Sequence, residues 1–289
     1  VLGVADIEGL LARHGLDARR ALGQNFVADP HTVEHIAALA RVGPGDHVVE
    51  IGPGLGSLTL ALADTGAQVL AIEKDIALVP VLDEVLHAHG LDADGAGTGA
   101  VQVVTADALE LDWVEVLGGA ASWVLVANLP YNVAVPIIMS VLEHAPAVQR
   151  MVVMVQKEVA DRLVAEPGGR TVGVPSMRVA WYASAELLGT VAPEVFIPRP
   201  RVTSALVGLT RRPPPTERIG PGPVLALVGT AYRQRRKMLR STLGGAVPAP
   251  AFEVAGVAPT ARPEELGIGD WARLAVAVRD ETVRDEHGA

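Results

Sequence analysis

The sequence predicts an α/β protein in which a mostly parallel sheet, covered by helices on both faces, is followed by a small helical domain. Three observations carry this. Short apolar runs alternate with helical patterns over residues 45–165, as in a parallel sheet with crossover helices. One of those junctions, VVEIGPGLGSLTLAL at 48–62, sets Gly52, Gly54 and Gly56 between a strand and a helix starting near Ser57. Beyond about residue 213 only helical patterns remain, at 224–243 and 263–279. The expected division is therefore 1–212 and 213–289, with RPPPTERIGPGP at 212–223 as the hinge.

Taken in order, ADIEGLLARHG at 5–15 reads as a short amphipathic helix that Asp6 can cap. DARRALGQNFVADP at 17–30 is too rich in glycine and polar residues for a regular element, and reads either as a linker or as a lid, with Phe26 as anchor and Asn25 as polar tip. Asp29 followed by Pro30 is a helix start, and Val33, Ile36, Ala37 and Ala40 give that helix its apolar face. VGPGDHVVEIG contains the first strand, QVLAIE the second, and Asp75 opens a helix to about His89; LDADGAGTGA at 91–100 reads as a surface loop. VQVVT is the third strand, followed by Asp107. SWVLVAN leads through NLPYN into a helix, and RMVVMVQKEVADRLVA at 150–165 gives a fifth strand and its helix. SMRVAWYASAELLG (176–189) and VTSALVGLTR (202–211) read as further strands.

The 289 residues contain no cysteine, which excludes disulfides, thiolate zinc sites and a cysteine nucleophile. There is no basic segment leading into an apolar stretch and no apolar run near 18 residues long. A soluble, cytoplasmic protein with no membrane partner is expected. The net charge of −9 argues against indiscriminate binding to a polyanion. Basic footprints can be local, however: arginines bunch at Arg19 and Arg20, at Arg199 and Arg201, at Arg211 and Arg212, and most densely in YRQRRKMLR at 232–240.

The glycines at 52–56 let the backbone approach a ligand at the N-terminus of a helix, where free N–H groups face outward. Glu73, about twenty residues further on at the end of the second strand, can accept from both hydroxyls of a ribose. These features point to a nucleoside cofactor site rather than to a glycine-rich turn that only permits tight packing. The third glycine is one position early for a dinucleotide fingerprint, and with Glu50 closing the strand the spacing suits S-adenosylmethionine better than NAD. Asp107, at the end of the third strand, can accept from the cofactor's adenine amine or cap a helix. NLPYN at 128–132 makes sense against a planar base with an exocyclic amine: the side-chain oxygen of Asn128 and the carbonyl of Leu129 each accept a hydrogen, Pro130 stiffens the turn, and Tyr131 stacks on the ring.

Together LGQNFVADP, EIGPGLGSLT, AIEKD, TAD, NLPYN and VAPEVFIPRPRVTS, in this order over roughly 18–210, resemble the ribosomal RNA adenine dimethyltransferases, closest to the small-subunit branch. The resemblance implies a Rossmann-like, seven-stranded methyltransferase fold and transfer of methyl groups from S-adenosylmethionine to the exocyclic amines of two adjacent adenines near the 3′ end of 16S ribosomal RNA. It implies cofactor contacts at Asn25, Val27, Gly52, Gly54, Glu73, Asp107 and Asn128. The target base would lie between Tyr131 and Phe196, at a catalytic turn made by Asn128, Leu129 and Pro130. Two departures stand out: Val133, Ala134 and Val135 occupy places where the family often has serine or threonine, and Arg201 and Thr203 replace a frequent lysine and aspartate. Expected RNA contacts are Arg199 and Arg201 beside the base, and Arg233, Arg235, Arg236, Lys237 and Arg240 on the helical pattern of the small domain. The expected partner is ribosomal RNA within a small-subunit precursor, met by a monomer; no metal is implied. The rivals are a resistance-type enzyme acting on large-subunit RNA, a noncatalytic assembly factor, and a NAD-dependent dehydrogenase, the last disfavoured by the glycine spacing.

Overall fold

The computed structural model describes residues 1–16, 25–91 and 101–287, with side chains to residue 283. Arg19, Arg20 and Gln24 of the expected lid, and nearly all of the expected loop at 91–100, lie outside the described residues. The chain forms two compact units: Val1–Ala160 with Glu186–Arg211, and Asp161–Ala185 with Arg212–Ala289.

The first unit begins with α1 (Val4–Arg13), β1 (Phe26–Val27) and α2 (Pro30–Ala40). Asp6 sits inside α1 and reaches back to accept the N–H of Gly3 (2.9 Å), while Asp29 caps α2 through the N–H of Thr32 (2.8 Å). There follow β2 (His47–Ile51), α3 (Ser57–Ala63), β3 (Gln68–Glu73), α4 (Val79–Ala88), β4 (Val101–Thr105), α5 (Trp113–Leu117), β5 (Trp123–Asn128), α6 (Ala134–His144) and β6 (Val148–Gln156). After α7 (Lys157–Leu163) and α8 (Val174–Tyr182), the chain returns through β7 (Ala183–Val191), β8 (Phe196–Ile197) and β9 (Ser204–Arg211).

The main sheet has the order β4-β3-β2-β5-β6-β9-β7. Strands β2 to β6 pair in parallel, and β9 runs antiparallel to β6. Central strands such as VVEI and VLVA are apolar at nearly every position because both faces are covered: Val48, Val49, Leu125 and Val126 have no exposed surface. The chain builds outward from β2 to β4 and then returns to the other side of β2 with β5. That reversal opens a crevice beyond the carboxyl ends of β2 and β5, where the glycine turn and NLPYN lie. A separate ribbon pairs β1 with β8, with Val27 opposite Phe196.

The second unit contains α8, α9 (Pro221–Tyr232), α10 (Leu239–Leu243), α11 (Ala249–Ala255) and α12 (Ile268–His287) around a core that includes Trp181, Val228, Phe252 and Trp271. Three expectations change here. Residues 176–182, read as strand, are helical, because Met177 and Trp181 one turn apart both enter this core. For the same reason 161–185 belong to the second unit rather than to 1–212, although the later break at Arg211/Arg212 falls within one residue of the expected 212/213 boundary. The helix expected at 224–243 is interrupted by a turn at 233–237. Beyond the turn the N–H groups of Leu239 and Arg240 bond to the carbonyls of Ala261 and Pro259 (2.8 and 2.9 Å) instead of continuing the helix. Among the described residues no helix is long and apolar enough to cross a membrane.

Candidate active site

The glycine turn adopts left-handed backbone at each of its glycines, with φ of 72° at Gly52, 59° at Gly54 and 89° at Gly56. The space around them differs. A Cβ on Gly54 would lie 3.0 Å from the ring of Phe26, and one on Gly56 2.8 Å from Leu82, so these two are required by packing. A Cβ on Gly52 would meet no protein atom within 4 Å, and Gly52 lines the crevice, so its open side faces that space.

Two adjoining clefts meet at Gly52 and Pro130. The first is lined by Asn25, Phe26, Val27, Glu50, Gly52, Gly54, Asn128, Leu129, Pro130 and Tyr131. The second is lined by Gly52, Glu73, Lys74, Asp107, Pro130 and Asn132 among others. All seven expected cofactor residues and the four residues Asn128 to Tyr131 are therefore brought to one crevice. Phe196 is not: it is 3% exposed, buried on the ribbon opposite Val27, and among the described residues it is not part of either cleft wall.

Glu73, at the end of β3, is buried, and its two oxygens accept the N–H groups of Gly54 (3.0 Å) and Asp75 (2.8 Å). Burial raises its pKa, opposed by those backbone bonds. Glu50 is buried more completely; it accepts the hydroxyl of Thr59 (2.6 Å), and burial pushes its pKa up to about 8, opposed by that bond and helped by the nearby Glu73. Asp107 accepts Lys74 Nζ (2.5 Å) and the N–H of Leu109 (3.0 Å), and these bonds hold its pKa low. The Asn128 amide nitrogen donates to the carbonyl of Asn25 (2.9 Å), which commits that nitrogen and leaves the amide oxygen as the acceptor for the cleft. The N–H of Leu129 donates to Met154 on β6 (3.2 Å), and the Tyr131 hydroxyl bonds to Ser204 Oγ (2.8 Å).

Sequence reading missed Lys74, Thr59 and Ser204. Lys74 stands beside Glu73 in AIEKD, but its partner is 33 residues away, and only the parallel pairing of β3 with β4 brings Asp107 to it. Of the expected RNA contacts, Arg199 and Arg201 are exposed, and Arg199 is paired with Glu194. In the second unit Arg233, Arg236, Lys237 and Arg240 are exposed on or beside the turn. Arg235 is instead half-buried, donating to Glu264 (3.3 Å) and to the carbonyl of Arg170 (2.8 Å), so it ties the unit together.

A doubly wound sheet with a glycine turn after β2, acids at the ends of or just beyond β3 and β4, and NLPYN at the end of β5 is the frame of an S-adenosylmethionine-dependent methyltransferase. Residues 15–279 match the family model described as ribosomal RNA adenine dimethylase, and the chain belongs to that family. It is 48% identical over 95% of its length, and 91% of the relative's, to a ribosomal RNA small subunit methyltransferase A of Kineococcus radiotolerans. It is 45% identical over its whole length, and 98% of the relative's, to the protein of that name in Cutibacterium acnes. Among solved structures it resembles the 23S rRNA methyltransferase ErmE, with TM-score 0.66 and 28% identity over 88% of this chain and all of that one. A dimethyladenosine transferase from Plasmodium falciparum shares the fold, with TM-score 0.73 and 21% identity over 88% of this chain and 97% of that one. The protein is thus an S-adenosylmethionine-dependent ribosomal RNA adenine dimethyltransferase whose partner is ribosomal RNA.

Proposed function

We propose that this enzyme dimethylates two adjacent adenines near the 3′ end of small-subunit (16S) ribosomal RNA, working as a cytoplasmic monomer on a partly assembled small subunit. The observation that carries the chemistry is the orientation of Asn128. With its amide nitrogen given to Asn25, the amide oxygen is the atom left to accept from a target amine.

An adenine amine is a poor nucleophile because its lone pair is delocalised into the ring. Bound S-adenosylmethionine supplies an electrophilic methyl group. Asn128 and the Leu129 carbonyl, accepting one hydrogen each, favour the pyramidal amine and so stabilise the transition state more than the ground state. Tyr131 stacks on the base. Phe196, whose ring is buried here, is the proposed opposite wall, and it can face the base only if the ribbon yields when RNA binds. Asn25, Val27 and Gly52 hold the methionine end of the cofactor, with Gly54 closing the turn behind it. Glu73 holds the ribose: a carboxylate offers about four acceptor directions, and backbone N–H groups use two of them. Asp107, kept ionised by Lys74, takes the cofactor's adenine amine.

The small-subunit target is favoured because relatives of that name match nearly the whole chain at 41–48% identity, whereas the enzyme named for 23S RNA matches at 28%. Arg199 and Arg201 on one unit, and Arg233, Arg236, Lys237 and Arg240 on the other, are the proposed phosphate contacts. A particle that engages both sets gains by effective concentration. Incubation with labelled S-adenosylmethionine and, separately, undermethylated small and large subunits, followed by primer extension or mass spectrometry, should place dimethyladenosine at two neighbouring positions of the small-subunit RNA. Label confined to large-subunit RNA would overturn the assignment.

A further inference from the structure

Ser204 opens β9 with no exposed surface, and its hydroxyl lies 2.8 Å from the hydroxyl of Tyr131, 73 residues away in sequence. A buried serine hydroxyl needs a partner, and the tyrosine supplies it. The location gives the bond a consequence. Tyr131 is half-buried and lines the cleft with Asn128, Leu129 and Pro130, while its oxygen is held at the strand.

The turn is held at two further points: the Asn128 amide on Asn25, and the Leu129 N–H on Met154 of β6. Ser204 pairs in register with Gln156 of β6, two residues beyond Met154, so the backbone anchor and the ring anchor rest on neighbouring strands of one sheet. An aromatic side chain rotates about two bonds, and fixing its para oxygen removes most of that freedom. Ser204 also belongs to the same segment as Phe196, so the tether joins the two proposed base walls through one short stretch of chain.

We propose that Ser204 is a positioning residue for methyl transfer: through the Tyr131 hydroxyl it locks the stacking ring in the plane that receives the target adenine. This rests on the reading of Tyr131 as a base wall. It also explains a tyrosine at this place, since phenylalanine would stack equally well but would leave Ser204 buried without its partner.

The test uses the full chain and whichever ribosomal subunit the wild type methylates, with KM for the subunit, single-turnover rate at saturation, and the S-adenosylmethionine Kd by calorimetry. Ser204→Ala and Tyr131→Phe should each lower kcat/KM by about 3- to 10-fold, the range of one hydrogen bond. The loss should fall mainly in KM, with an unchanged cofactor Kd showing that the fold is intact, and the double variant should be no worse than either single one. Ser204→Thr should retain more activity than Ser204→Val, which has nearly the same shape without the hydroxyl. Additive losses in the double variant, equal activity of the Thr and Val variants, or wild-type kcat/KM for Tyr131→Phe would overturn the tether. Tyr131→Ala separates the two ideas: if removing the whole ring leaves kcat/KM unchanged, the base-wall reading itself fails.

Discussion

At the scale of the residue, three carboxyl or amide groups divide the work of the crevice according to what surrounds them. Asn128 is held by Asn25 and presents an acceptor; Asn128→Ala should lower the single-turnover rate by about 10² or more with cofactor and RNA saturating, as for other groups that act in the transition state. A wild-type rate would rule the role out. Glu73→Ala should weaken S-adenosylmethionine binding at least several-fold by calorimetry, because it removes the acceptor proposed for the ribose and frees the Gly54 N–H that Glu73 holds in the turn. Glu50 makes a stability prediction. Its pKa rises from 4.5 to about 8 on folding, so between these values the folded state holds a proton that the unfolded chain has lost. Its contribution is full below pH 4.5 and is lost as pH rises through about 8, with a slope of at most about 1.4 kcal/mol per pH unit. In Glu50→Gln, which keeps a partner for Thr59 without the charge, that loss should vanish. Denaturant melts of the cofactor-free protein from pH 5 to 9 should show the variant gaining on wild type as pH rises, and parallel curves would count against a protonated Glu50.

At the scale of the element, the NLPYN turn leads directly into α6, and the far end of that helix is fixed by Arg211 at the end of β9. Its guanidinium donates to the carbonyls of Leu142 (3.1 Å) and Ala145 (3.1 Å), and to Val148 at the start of β6 (3.0 Å). A cation at a helix C-terminus also opposes the helix dipole. Arg211→Ala should therefore cost about 2–3 kcal/mol by denaturant titration. Arg211→Lys should recover only part of this, because an ammonium cannot span the same set of acceptors. The sequence showed Arg211 only as a member of a basic pair, because its partners lie more than 60 residues earlier and are backbone atoms.

At the scale of the whole molecule, a chain of net charge −9 can meet a polyanion only through local groups of exposed arginine and lysine. The basic run at 232–240 separates into two kinds of residue. Arg233, Arg236, Lys237 and Arg240 are exposed, whereas Arg235 is turned back into its own unit. Arg236→Ala and Lys237→Ala should each weaken subunit binding and reduce the slope of log affinity against log salt by somewhat under one, about 0.7–0.9 for each phosphate no longer neutralised, with the cofactor Kd unchanged. Arg235→Ala should lower thermal stability instead. A salt slope that stays at its wild-type value in the first two variants would remove this turn from the RNA-binding surface.

The parallel sheet, the glycine turn, the acids at or just beyond the ends of β3 and β4 and NLPYN at the end of β5 were all legible in the residues alone. Each is a local pattern of period, glycine placement or strand end, written within a few consecutive residues. The remaining features depend on partners far apart in the chain. The helical state of 176–182 was settled by a core that Met177 and Trp181 share with Trp271, and the break at 233–237 by carbonyls at Pro259 and Ala261. The orientation of Asn128, the burial of Phe196 and the tether of Tyr131 to Ser204 likewise arise where β1, β5, β8 and β9 meet. Local propensity reports the cost of bending one segment of chain, whereas these choices follow from burying surface and satisfying hydrogen bonds between segments, a free energy that exists only once they are together.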